Sequence, residues 1–128
     1  MGTRSLTLVY ANNKPIINLY RQYDGYPSGH GSELAKFLNS IEEVTNGIRF
    51  GETRKTANGM GCLSAQLVAH FKTEVGGFYL TDVTQMDQGQ DYEYHVHMDK
   101  VKVVSWNNRT IFEGSWKEFQ EFCNKTEE

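Results

Sequence analysis

The stretch that most restricts this chain is Asp24-Gly25-Tyr26-Pro27-Ser28-Gly29-His30-Gly31. Three glycines and a proline in eight residues argue against a helix or a central strand, because glycine is entropically costly there and proline lacks a donor. The stretch reads as a shaped loop that separates two kinds of pattern. Before it, residues 5–11 alternate apolar and polar side chains and residues 16–23 are rich in β-formers. Asn12-Asn13-Lys14-Pro15 supplies turn chemistry between them, so the pair predicts a β-hairpin. After it, Ser32 is placed as a helix N-cap and Glu33 sits where the dipole favours an anion. Leu34, Phe37, Leu38, Ile41 and Val44 then recur at helical spacing, which predicts a helix ending near Thr45-Asn46-Gly47.

Residues 48–61 are the least regular and carry Arg49, Arg54 and Lys55, which either line a ligand's phosphates or are simply solvated. A second helix is predicted from Met60 or Cys62 to Val75, with Leu63, Leu67, Phe71 and Val75 as its apolar stripe and Gly76-Gly77 as its stop. Strands follow at 78–84, 92–98, 101–106 and 110–113, with turns at 87–90 and 107–109, then a helix at 116–123 and a fraying tail. The order is ββααββββα. Short turns demand antiparallel neighbours. The expectation is therefore one α+β domain over residues 1–128: an antiparallel sheet of about five to six strands with helices packed on one face.

Composition narrows the function classes. Apolar residues make up 38%, and 13 Lys and Arg stand against 16 Asp and Glu, a net charge of −3. That balance argues against a protein that wraps duplex nucleic acid. The longest apolar runs fall far short of the roughly 20 residues that span a bilayer. The first residues alternate like a strand rather than like a signal peptide. Cys62 and Cys123 lie far apart without metal-type spacing, so a cytoplasmic protein with reduced thiols is expected.

Two glycine-rich segments precede helices, and both suit a phosphate or nucleotide, since helix-start amides attract anions and glycine permits close approach. In the first, Arg21 and His30 offer charge-assisted hydrogen bonds, Asp24 a carboxylate and Tyr26 a stacking ring. In the second, Thr56-Ala57-Asn58-Gly59-Met60-Gly61-Cys62, the candidates are Asn58 and Cys62. Neither segment matches the G-x-x-x-x-G-K-[ST] or G-x-G-x-x-G pattern, and consecutive structural turns are the alternative. Cys62, Gln66 and His70 share a helix ridge, yet positions 62 and 70 lie roughly 12 Å apart along the axis and cannot pair. His95 and His97 point the same way on a strand and have the spacing of a metal pair, with Glu93 or Asp99 as an oxygen donor. A solvated strand face has the same pattern, and neither a metal nor a cofactor is expected. No carboxylate pair for acid–base work stands out.

Met1-Gly2-Thr3-Arg4-Ser5-Leu6-Thr7, Tyr20-Arg21-Gln22-Tyr23-Asp24-Gly25-Tyr26-Pro27-Ser28-Gly29-His30-Gly31 and Asn58-Gly59-Met60-Gly61-Cys62 together resemble a group of small, functionally unassigned phage and bacterial proteins. The resemblance covers most of the chain and brings no catalytic residue with it. It implies only that a host protein or host signalling molecule is a reasonable partner. The leading expectation is a small binding protein, with a homo-oligomer allowed. It would recognise a phosphorylated or nucleotide-like ligand, or a host protein, through the two helix openings. On that expectation Arg21→Ala and His30→Ala lose the ligand and keep the fold. The alternatives are a nucleotide-directed hydrolase or transferase using Asp24, His30 or Cys62, and a purely protein-binding module using an exposed sheet edge, Trp106 or Trp116.

Overall fold

The computed structural model describes residues 2–45 and 56–125. Arg49, Arg54 and Lys55 lie outside the described residues. The first hairpin forms as predicted, with β1 at Ser5–Ala11 and β2 at Lys14–Arg21. Its turn is Asn12-Asn13, with φ of 52° and 64°. Two left-handed residues match the right-handed twist of the strands, and Asn tolerates that region better than most side chains.

The eight-residue stretch departs from the loop expected. Pro27–Gly31 forms one π-helical turn that runs directly into α1 (Ser32–Ser40). Pro27 occupies the first helical position, where a missing N–H costs nothing. Ser32 is therefore not an N-cap: its φ and ψ of −63° and −41° are already helical. The glycines are needed because the turn presses on its surroundings. A Cβ on Gly31 would lie 2.9 Å from Cys123 Sγ, and one on Gly25 would lie 2.8 Å from Ser5 Cβ.

Helix α1 stops at Ser40, short of the predicted end. Ser40 Oγ bonds Phe37 O, while Asn39 Nδ2 donates to Ala35 O and to Trp116 O. Such side-chain bonds compete with helical propagation. Ile41 turns extended, and Val44 enters a short strand, β3 (Glu43–Thr45), which pairs in parallel with β4 (Thr56–Asn58). Helix α2 covers Gly59–Phe71, and α3 covers Trp116–Lys125. Val75, expected on the α2 stripe, is fully exposed: Lys72 leaves the helix and its Nζ ties back to Gly76 O and Phe78 O.

The main sheet has six strands in the order β5-β2-β1-β6-β7-β8, where β5 is Phe78–Thr81, β6 Tyr92–Val96, β7 Val101–Ser105 and β8 Arg109–Gly114. It is mixed, not antiparallel, because β1 pairs in parallel with β6. The expected hairpin between β5 and β6 does not exist. The turn chemistry at 87–90 is real, with Gly89 at φ 72°, but it belongs to a crossover. Residues 82–91 carry the chain from the β5 edge past β2 and β1. Asn18 holds this crossover by donating from Nδ2 to Asp82 O and Gln85 O, each at 3.1 Å.

The two sheet faces are thus buried differently. Val9, Leu19, Tyr94, Val96 and Val103 meet Leu34, Leu38, Leu63, Leu67 and Phe119 of the helices. On the opposite face Leu6 and Leu8 are equally buried, and Leu8 lies beside Asn18 in register. The crossover therefore accounts for a second covered face. Asn18→Ala should cost about 1 kcal/mol, since two side-chain bonds to the crossover are lost. Chemical denaturation measures the loss, and amide exchange should rise selectively at residues 82–91.

Candidate functional site

The residues singled out in the first glycine-rich segment divide between core and surface. Arg21 and His30 are buried, at 6% and 0% exposure, and Asp24 is exposed. His30 follows the π turn inward, where its ring lies 5.0 Å from Phe71 and 5.1 Å from Tyr94, centroid to centroid. Arg21 Nη1 donates to His30 Nδ1 at 3.2 Å, which leaves Nε2–H to donate to Thr7 Oγ1 at 2.7 Å. The same Nη1 bonds Glu33, whose side chain reaches the surface, and the guanidinium lies 4.8 Å over Phe78. A chain of polar groups thus runs from Thr7 in the sheet to Glu33 on α1.

Burial, and then the neighbouring Arg21 charge, hold His30 down at about 3. The imidazole is neutral and serves as a fixed link between donor and acceptor. The helix-start amides that would attract an anion are also in use. Gly29 N donates to Tyr26 O, His30 N to Asp24 O and Gly31 N to Tyr26 O. Tyr26 is half-buried, with its ring against Gly29. Tyr94 Oη closes the arrangement with a 2.7 Å bond to Gly25 O. This segment joins hairpin, helix and sheet.

The second opening is different. Asn58 stands at the start of α2 and pairs with Thr45, while Cys62 Sγ meets Gln66 Oε1 at 3.5 Å. Gly59 and Met60 border a cleft of about 550 Å³ with Tyr10, Asn12, His97 and Lys100. The structure therefore brings Asn58 and Cys62 to one helix start and Arg21 and His30 to the core, with no shared site. Asp24, His30 and Cys62 are likewise not assembled as a catalytic group.

Tyr10 was not among the sequence candidates, yet it organises both strand histidines. Its hydroxyl meets His95 Nδ1 at 2.6 Å, and its ring stacks on His97 at 4.4 Å. His95 Nε2 donates to Glu93 Oε1 at 3.0 Å, which holds the Glu93 carboxyl below its usual range. Both nitrogens of His95 thus have protein partners. Alternation puts Tyr10 on the Leu8 side of β1, but only the parallel pairing that sets Leu8 opposite His95 brings it to the histidines.

The other notable surface is apolar. Along α2, Leu63, Leu67 and Phe71 point into the core, while Gly61, Ala65, Val68 and Ala69 border an open groove of about 560 Å³ with Ile16, Ile17, Ser64 and Leu80. Leu80 is 59% and Ile16 38% exposed. Strand β5, which carries Leu80, ends the sheet on this side. Of the two tryptophans considered as contacts, Trp116 donates its Nε1 to His97 O at 3.0 Å and Trp106 is exposed at the β7–β8 turn. Among the described residues no helix is long and apolar enough to cross a membrane. Compared with protein-family models, curated proteins and solved structures, the chain finds no match.

Two outcomes check this site description. Because His30 is neutral when folded and takes up a proton near its ordinary 6.5 when unfolded, its contribution is complete above that pH. It is lost as pH falls from 6.5 towards about 3. Wild type should lose about 1.4 kcal/mol per pH unit more than His30→Gln across that window, measured by urea unfolding. Burial also pushes the Cys123 thiol up to about 12. Native protein should therefore react with Ellman's reagent at Cys62 alone, and unfolded protein at both thiols.

Proposed function

We propose that this chain works as a protein-binding module, and that its contact face is the outward side of α2 with the adjoining β5 edge. The observation that carries this reading is Gly61. Glycine in a helix costs about 1 kcal/mol relative to alanine. Among the described residues nothing asks for it, because a Cβ there would stand in open space. Gly61, Ala65 and Ala69 fall at i, i+4 and i+8, so they line one side of the helix. A smooth helix side beside exposed Leu80 and Ile16 suits the close approach of another protein. A contiguous apolar surface of this kind marks interaction sites.

The same residues favour this reading over ligand capture by the first glycine-rich segment. There, the glycines make room for the protein's own atoms and the amides are already bonded. A phosphorylated or nucleotide-like ligand would have the cleft at the start of α2. Gly59, Lys100 and Asn12 are the polar groups that support this second reading.

Covering of the face can be read in cells that make the protein. In a Cys62→Ser background, Ala65→Cys puts a single reactive thiol on the groove, since Cys123 is buried. If a partner is present at ten times its Kd, maleimide labelling should be about tenfold slower in cells than in dilute purified protein. Equal rates would remove the reading.

A further inference from the structure

We propose that Tyr10 is the nucleophile of an esterase centre beside the start of α2, acting on uncharged carboxylic esters with His95 as its base. The docking face takes no part in it. Tyr10 Oη lies 2.6 Å from His95 Nδ1, and His95 Nε2 lies 3.0 Å from Glu93 Oε1. The other Glu93 oxygen accepts from Gln90 Nε2 at 3.0 Å. With Nε2–H given to the carboxylate, Nδ1 is the acceptor and the phenol is its donor. Hydroxyl, imidazole and carboxylate are therefore bonded in series, the order in which a nucleophile, its base and the group that orients the base act. Burial, and then the Glu93 charge, raise the Tyr10 hydroxyl above its usual range. The phenol keeps its proton at rest and needs such a base to lose it.

The series ends at an opening. Tyr10 borders the cleft of about 550 Å³, with His97 stacked on its ring at 4.4 Å. Gly59 and Met60, which begin α2, border the same cleft. Asn58 makes no side-chain capping bond there, and the first amides of a helix have no intrahelical partner. Among the described residues, a Cβ on Gly59 would meet nothing within 4 Å, so this backbone is open to a bound group. Such amides are the donors that a developing oxyanion requires. The lining selects the substrate. Among the described residues of the cleft, Asp99 and Lys100 carry opposite charges, and Lys100 Nζ is already bonded to Glu113 at 3.0 Å. Val44 and Met98 add apolar wall. A short acyl chain matches that lining and brings in no charge to be neutralised.

The reaction balances on these groups. Tyr10 Oη bonds the carbonyl carbon as its proton passes to His95 Nδ1. The bond from that carbon to the leaving oxygen breaks, and the alcohol departs with the proton. Water then attacks the acyl carbon and gives a proton to His95. The acyl–Oη bond breaks, the acid leaves and the proton returns to Tyr10. Glu93 touches no substrate. It is a positioning residue that holds Nε2–H throughout.

The test uses the full chain in a Cys62→Ser background, which removes the reactive thiol, with p-nitrophenyl butyrate as probe. This parent protein should give a burst of p-nitrophenol stoichiometric with protein, and peptide mass spectrometry after rapid acid quench should place the butyryl group on Tyr10. Tyr10→Phe keeps the ring on His97 and should abolish burst and adduct with far-UV circular dichroism unchanged. His95→Gln should slow acylation at least about 100-fold. Glu93→Gln should lower kcat with KM unchanged, a split that general loosening does not give. Absence of a butyryl group on Tyr10 in the parent protein overturns the proposal, whatever the variants do. An acylation rate that His95→Gln leaves unchanged also overturns it. Faster turnover of bis(p-nitrophenyl) phosphate than of the butyrate overturns the carboxylic-ester assignment.

Discussion

Everything else in this fold is arranged around a neutral histidine held between an arginine and a threonine. His30 takes a hydrogen bond from Arg21 on β2 and gives one to Thr7 on β1. Arg21 passes on to Glu33 on α1. The cation is largely buried, so it depends on these partners and on the Phe78 ring. A buried charge deprived of its partner costs about 3–5 kcal/mol. The link therefore dictates how the first hairpin meets the first helix, and the π turn is the backbone route that delivers the imidazole inward. Gly25 and Gly31 follow from that route, since it presses them against Ser5 and Cys123.

The sheet has a comparable dependence on Asn18. A parallel neighbour for β1 requires a crossover, and an unpaired crossover would leave backbone groups unsatisfied. Asn18 accepts that task with two side-chain bonds. Its consequence is a sheet covered on both faces, by helices on one and by an irregular segment on the other. Among the described residues, the β5 side of α2 is left open.

Much of the element content was legible because local pattern and tertiary environment agree. The Asn12-Asn13 turn, the Leu63-Leu67-Phe71 stripe and the alternation through Tyr94 and Val96 all appear where periodicity puts them. The failures have a common physical origin in long-range contacts. Glycine counting argued against helix at 27–31, yet packing against Tyr94 and Cys123 outweighs the entropic cost. Turn residues at 87–90 looked like a hairpin, and it is the parallel pairing of β1 with β6, distant in sequence, that makes them part of a crossover. Val75 continued a helical spacing that the Lys72 bonds interrupt. The surroundings of Arg21 and His30 were hidden for a related reason. Arg, His and glycine before a helix have the composition of an anion loop, but the same residues build a buried polar link when the amides are satisfied internally. The groove face was obscured because Gly61, Ala65 and Ala69 are small and chemically quiet.

The functional account rests on that distinction between a segment used internally and a face left open. It is tested most directly by following the His30 ring nitrogens by NMR as pH is lowered. The account predicts a neutral ring with its proton on Nε2 from pH 7 down past pH 4, consistent with a value held at about 3. A ring that titrates near its ordinary 6.5 would place His30 in contact with solvent. That result would contradict the buried link and return the first glycine-rich segment to the role of a ligand loop.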